Sequence, residues 1–187
     1  AGYWMQSGKH DALYPMMYYR NHLFYPFADD WVLNSNSRII VPGLGAYQML
    51  ELNWPKEDIV NQIDYTRQKS MAGQAYFRTE NVLSNLKGIL FSINDFYKYP
   101  AKLPPMTWLS DTLPNAPYNV TAEKIKGVFQ LKWESSSTNR ETYNVYRTEN
   151  EDFAIDNAAH ILATRLQEPQ YQMYVEDNDK AFYYFIT

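Results

Sequence analysis

The 187-residue sequence contains no cysteine. Disulfides, thiolate metal sites and a cysteine nucleophile are thereby excluded, while the compartment stays open, because an exported protein need not carry disulfides. No stretch approaches the roughly 18 consecutive apolar residues of a bilayer span, so none is expected. The opening residues, AGYWMQSGKHD, lack both an initiator Met and a basic segment followed by an apolar core. They are not a signal peptide and read as the middle of something longer. There is no excess of positive charge: the formal net charge is −4. A general nucleic-acid binder needs a basic surface to displace counterions, so nucleic acid is not an expected partner.

Chemical motifs are equally sparse. His10, His22 and His160 are scattered, with no HxH, HExxH or DxDxDG pattern, so no metal site is expected. VPGLGA at 41–46 is not GxGxxG, and no GxSxG or P-loop occurs, so no cofactor is expected. Gly43 and Gly45 read as residues that permit a backbone turn at a strand end.

What is abundant is aromatic: 17 Tyr, 9 Phe and 5 Trp make up 17% of the chain. With 45% apolar and 20% charged residues, the composition is that of a folded protein. Charge is divided unevenly. Residues 1–110 hold 10 Lys/Arg against 9 Asp/Glu, a net of +1, and residues 111–187 hold 7 against 12, a net of −5. Near the division lies YPAKLPPMTWLSDTLPNAP, with Pro100, Pro104, Pro105, Pro114 and Pro117. Proline fixes φ and removes a donor, so this stretch reads as a linker between two unlike domains, packed by Met106 and Trp108.

Before the linker, strands and helices alternate. Short apolar runs at Asp11–Tyr19, Arg38–Gly45 and Gly73–Arg78 suit strands buried on both faces, although Pro15 and Pro42 interrupt the first two. Helices are expected over Phe27–Asn34, Pro55–Lys69 and Leu86–Tyr97. In the second, Pro55 suits a first turn, Glu57 and Asp58 suit the positive end and Arg67 and Lys69 the negative end. Its apolar stripe is Ile59, Val60 and Ile63, continued by Thr66 or Arg67. One strand per roughly 30 residues, alternating with helices, means βα units and a parallel sheet.

After Pro117 the period becomes two. Strands are expected over Tyr118–Ile125, Val128–Glu134, Glu141–Thr148, His160–Leu166, Tyr171–Glu176 and Ala181–Thr187, with a turn at Lys126 and Gly127. This spacing indicates an antiparallel sandwich. The order PYNVTAEKI, VFQLKWES with Trp133, ETYNVYRTE, YQMYVED and AFYYFIT resembles a fibronectin type III domain over about 70 residues. A seventh strand, which the resemblance implies after Thr187, is missing, so this domain is expected to be truncated and to expose an edge.

The tracts DALYPMMYYRNHLFYPFADDW, RIIVPGLGAYQML and GQAYFRTENVLSNLKGILFSINDFYKYPAKLPPM resemble the C-terminal part of the glycosyl-hydrolase-like family 10 proteins. The resemblance covers roughly residues 3–110. It implies a fold of α/β plus all-β class: the last three βα units of a TIM barrel over residues 1–110, then the sandwich over residues 111–187. It also implies a bacterial glycoside hydrolase acting on a polysaccharide outside the cytoplasm, at the periplasm or cell surface, some relatives acting on peptidoglycan glycan strands. The family's acidic strand ends, of the DGIHFDDY kind, lie upstream and are not in this chain. Turnover by the chain alone is therefore not expected. Open barrel edges lead to the expectation of self-association.

In a TIM barrel, functional side chains sit where strands end. That selects Tyr18, Tyr19, Arg20, Asn21, His22 and Tyr25 in the first unit; Gly43, Gly45, Tyr47 and Gln48 in the second; Arg78, Thr79 and Glu80 in the third. A sugar site needs aromatic faces, planar polar groups and carboxylates. Glu80, directly after a strand, is the candidate catalytic carboxylate, with ion pairing to Arg78 the structural alternative. Asp29, Asp30 and Glu51 are weaker candidates. Tyr18, Arg20, Tyr25, Tyr47, Gln48 and Arg78 are the candidate substrate-binding residues. Nine of the first 31 residues are aromatic, and each could serve core packing or sugar stacking. The competing reading is a non-catalytic carbohydrate-binding or spacer module.

Overall fold

The computed structural model describes residues 2–110, 112–136, 141–152, 154–175 and 180–187. The chain divides into two compact units, the first formed by Ala1–Phe96 with Pro104–Met106, the second by Tyr97–Leu103 with Thr107–Thr187.

The first unit contains, in order, α1 (Gly2–Gln6), β1 (Ala12–Leu13), α2 (Asn21–Leu33), β2 (Ile39–Ile40), β3 (Gly43–Leu44), α3 (Gln48–Glu51), α4 (Lys56–Gln68), β4 (Ala75–Tyr76), α5 (Thr79–Leu83), a 3-10 turn (Leu86–Gly88) and α6 (Ile89–Phe96). β1 pairs parallel with β2, and β3 parallel with β4. A bridge from Met16 to Gly43 continues the first ladder towards the second. The strands are shorter than the runs expected from sequence, and in the first two runs the prolines explain it. Pro15 O accepts from the Gly43 amide and Pro42 O from the Ala75 amide, but neither proline has an N–H to return, so the ladder breaks there.

The helices are nearer to expectation. α4 matches the predicted span, with Pro55 and Lys69 as its flanking residues. Its buried face is Asp58, Ile59, Gln62, Ile63 and Thr66. Thr66, rather than Arg67, continues the stripe, and two polar residues share it. α2 begins six residues before the predicted start, and Pro26 lies inside it. Burial of Phe24 and Ala28 holds the earlier turns together. The core joins Met17, Phe24, Leu44, Met49, Trp54, Ile59, Ile63 and Ile89.

The second unit contains β5 (Tyr118–Ile125), β6 (Val128–Glu134), β7 (Tyr143–Thr148), a 3-10 turn (Ala158–His160), β8 (Ile161–Leu166), β9 (Gln170–Tyr174) and β10 (Tyr183–Ile186). All pairings are antiparallel, in two three-stranded sheets ordered β5-β6-β9 and β10-β7-β8. The predicted fifth strand ran to Glu176; β9 ends at Tyr174, and Glu176 lies outside the described residues. Lys126 (φ 50) and Gly127 (φ 82) form the tight turn between β5 and β6. Two successive positive φ values match the right-handed twist of the flanking strands. The alternation in β6 buries Leu131 and Trp133 while Lys132 and Glu134 stay exposed. They share one core with Tyr143 and Val145 of the other sheet, and the Trp133 and Tyr143 rings meet edge-on at 5.3 Å.

Candidate functional site

The ends of three parallel segments bring Tyr18, Tyr47 and Phe77 together. Tyr18 and Phe77 stack with centroids 5.6 Å apart, and Tyr47 meets both edge-on at 5.6 and 5.5 Å. The backbone fixes this arrangement: the Met17 amide donates to Gly43 O, the Phe77 amide to Leu44 O, and the Tyr47 amide back to Phe77 O. Gly43 and Gly45 make room for it. A Cβ on Gly43 would lie 3.3 Å from Tyr18 Cε1, and one on Gly45 only 3.2 Å from Tyr18 Cβ. Neither glycine has a positive φ. Their role is close approach of the segment that carries Tyr18, to its ring at Gly43 and to its Cβ and Cα at Gly45, which corrects the turn-permitting role read from sequence.

Polar groups surround the rings. The Arg78 guanidinium lies 5.5 Å from the Tyr47 centroid and 5.6 Å from that of Phe77. It pairs with Glu51, Nη2 to Oε1, at 3.0 Å. This settles the partner of Arg78: it is Glu51 on α3, not Glu80. Gln48 Nε2 donates to Tyr47 Oη at 2.9 Å. Burial, and secondarily the neighbouring Tyr47, push the Tyr18 phenol above its usual range. Tyr18 is therefore a neutral hydroxyl at ordinary pH, able to donate and accept but not to act as a phenolate.

Glu80 is exposed in the first turn of α5 and has no side-chain partner among the described residues. Arg20 and Tyr25 stand in a different group. Arg20, flanking the start of α2, pairs with Asp58 of α4 at 2.8 Å and lies 5.9 Å from the Trp54 ring centroid. Asp58 also accepts from Asn21, and Gln62 donates to the Tyr19 carbonyl. Tyr25 packs against Tyr65 at 4.6 Å. Its phenol is raised by burial first, then by Asp58 and Tyr65. Asp29 is tied to Tyr65 and Lys69, so it fastens α2 to α4. His22 is exposed on α2.

Sequence reasoning missed Phe77, Asp58 and Gln62. The first ends the same short apolar run that supplied Arg78. The other two have a signal in retrospect, because Asp58 and Gln62 are four residues apart and flank Ile59 and Ile63 on one helical face. Among the described residues, no group of three or more His, Asp or Glu is arranged to hold a metal, and no helix is long and apolar enough to cross a membrane.

The first unit thus carries an aromatic cluster edged by an Arg–Glu pair and an amide at the ends of parallel segments. The chain is similar to a glycosyl hydrolase. The relative is the protein described as "Glycosyl hydrolase YngK" of Bacillus subtilis (strain 168), 29% identical over 206 aligned positions. The alignment takes in 99% of this chain and 39% of the relative, so the chain spans about two fifths of that protein's length. No family model matches the chain, and no solved structure matches it.

Proposed function

We propose that the chain is the C-terminal part of a glycoside hydrolase acting on a polysaccharide, with peptidoglycan glycan strands as the substrate class. The observation that carries this reading is the Tyr18–Tyr47–Phe77 cluster with Arg78 and Glu51 beside it. Aromatic faces accept the C–H faces of sugar rings, and the planar Arg78, Glu51 and Gln48 groups suit sugar hydroxyls. The neutral Tyr18 phenol adds one more hydroxyl contact. Similarity along 99% of the chain to a glycosyl hydrolase supports the same reading.

In this reading the first unit is the last three βα units of a TIM barrel of the glycosyl-hydrolase-like family 10 kind. The second unit is a fibronectin type III-like sandwich, and the protein works outside the cytoplasm. Glycoside hydrolysis uses two carboxylates about 5 to 10 Å apart. Glu80 is one candidate, and its partner comes from strands that precede this chain in the longer protein. The chain alone does not turn over substrate. Arg20, held by Asp58, and Tyr25 act at the margin of the site.

The second reading is a non-catalytic carbohydrate-binding or spacer module. It is favoured by the engagement of Glu51 with Arg78 and by the lack of any group orienting Glu80 among the described residues.

A reducing-end assay on the longer protein separates the two. Peptide-stripped peptidoglycan strands and a polysaccharide panel would be offered to wild type, Glu80→Gln, Tyr18→Phe and Phe77→Ala. Cleavage that falls at least tenfold in Phe77→Ala places this segment in the site, and a fall in Glu80→Gln gives that residue its chemical role. Cleavage unchanged in all three variants moves the chemistry wholly upstream. No cleavage of any glycan favours the binding module.

A further inference from the structure

The second unit holds a cleft that the first reading does not use. The two-residue period of β7 puts Arg147 on the same face as Tyr143 and Val145, which are core residues. Arg147 is thus an inward-facing, half-buried cation at the end of an apolar core. Its cross-strand neighbour on β10 is Tyr184, whose ring stacks on Phe129 of β6 with centroids 4.6 Å apart. The guanidinium carbon of Arg147 lies 4.6 Å from the Phe182 ring centroid. A cleft of about 410 Å³ opens at this point, with Lys124, Lys180 and Tyr174 on its rim. Tyr174 is 88% exposed.

Among the described residues, no carboxylate and no hydrogen-bond acceptor engages the Arg147 side chain. Glu149 is held by Lys180 at 2.8 Å. A half-buried charge is costly unless an opposite charge meets it. A guanidinium held over a ring keeps its planar edge free for a bidentate carboxylate. The volume lies within the range of small-ligand sites, about 300–1,000 Å³.

We propose that this cleft binds an acidic sugar, its carboxylate on Arg147 and its ring against the aromatic wall formed by Phe182, Tyr184 and Phe129. The anion follows from the unmatched guanidinium. That the anion belongs to a glycan rests on the proposed carbohydrate function.

The test is binding by the full chain at low salt, followed by calorimetry and two-dimensional NMR. The probes are oligogalacturonate and peptide-stripped peptidoglycan strands, whose lactyl carboxylates are free. Neutral chitin oligosaccharides and a short polyglutamate are the comparisons. Acidic glycans should bind at least tenfold more tightly than the neutral ones and weaken as salt rises. Arg147→Gln should weaken acidic-glycan binding at least tenfold, Arg147→Lys less, and Lys132→Gln, an exposed cation of β6 outside the cleft lining, not at all. If Arg147→Gln fails to fold, Phe182→Leu should weaken binding at least threefold while keeping the cation.

Equal binding by wild type and these Arg147 or Phe182 variants would overturn the proposal. So would the absence of acidic-glycan binding up to 10-fold above a millimolar concentration. Polyglutamate binding with the same dependence on Arg147 would reassign the cleft to an acidic peptide. Glu176, Asp177 and Asp179 lie close by in sequence. Binding seen only after they are changed to amides would likewise overturn the proposal, since the cleft would then serve the chain's own acids. Failure of the glycosidase reading looks different: no cleavage by the longer protein, with Arg147-dependent binding of acidic glycan intact.

Discussion

Arg20 and Asp58, 38 positions apart, meet at 2.8 Å with the aspartate side chain 8% exposed and the arginine 51% exposed. The pair joins the end of the first parallel segment to the first turn of α4. Asn21 Nδ2 donates to the other carboxylate oxygen, Oδ1, at 3.0 Å, while Oδ2 meets Arg20 as an ion pair without hydrogen-bond geometry. The loop carrying Tyr18 to Asn21 is thereby fixed to a helix.

Removing the buried partner should cost more than removing the exposed one. Asp58→Ala leaves the Asn21 amide without its acceptor, while Arg20 can return to water. A loss of about 1–3 kcal/mol is expected for Asp58→Ala, read as a shift in urea midpoint with unchanged slope. The Arg20→Ala/Asp58→Ala cycle should show a coupling energy, and strict additivity would count against a working pair.

Gly45 should not tolerate even alanine. The added Cβ would sit 3.2 Å from Tyr18 Cβ and 3.3 Å from Gln48 Cγ. Overpacking of this kind costs about 1–3 kcal/mol. Near-UV circular dichroism should change with it, since the Tyr18 ring must move. Tyr18→Ala should not relieve the cost in the double variant, because the crowded Tyr18 atoms are Cβ and Cα, which alanine keeps.

The fastening of α2 to α4 should fail in acid. The Lys69 hydrogen bond, then that of Tyr65, hold the Asp29 carboxyl below its ordinary value of 3.8. A depressed folded-state value gives stability that is present above the unfolded value and lost as pH falls through the folded one. Lys69 is raised by the same contact, so its share is lost only when pH rises above its ordinary 10.5. Asp29→Asn should therefore flatten the stability profile below about pH 4 and leave its shape near neutrality unchanged. A melting series against pH checks this.

The β5–β6 turn has an avoidable strain. Lys126 sits at φ 50 ahead of Gly127 at φ 82. Asn-Gly is the preferred pair for such a turn. Lys126→Asn should stabilise the second unit by a few tenths to about 1 kcal/mol, and Gly127→Ala should destabilise it by about 1 kcal/mol or more. Thermal melts of the two variants should move in opposite directions.

The outer edge of β1 should drive self-association. β1 pairs only with β2 among the described residues, and Tyr14 and Met16 beside it are exposed. Light scattering is expected to show growth in mass with concentration, reduced by Met16→Lys, because charge blunts an open edge. A monodisperse monomer would count against this.

Local pattern was enough for much of the chain. The period-two alternation of Val128–Glu134 and the turn residues at 126 and 127 specify their hairpin, because each side chain's face and each φ depend on near neighbours. The cap residues and 3.6-residue period around Ile59 and Ile63 did the same for α4. The strand runs ending at Tyr19, Gly45 and Arg78 marked where candidate site residues lie, since those runs are local too.

Tertiary structure decided the rest. The sequence could not pair Arg78 with Glu51, 27 positions away, or Arg20 with Asp58, because which charges meet depends on how helices pack on the sheet. It could not show that Gly43 and Gly45 make room for the segment carrying Tyr18, because a close approach is a property of two segments. Nor could alternation alone reveal that Arg147 faces inward with no carboxylate of the described residues to meet it. A period assigns a face, and only packing shows what that face meets.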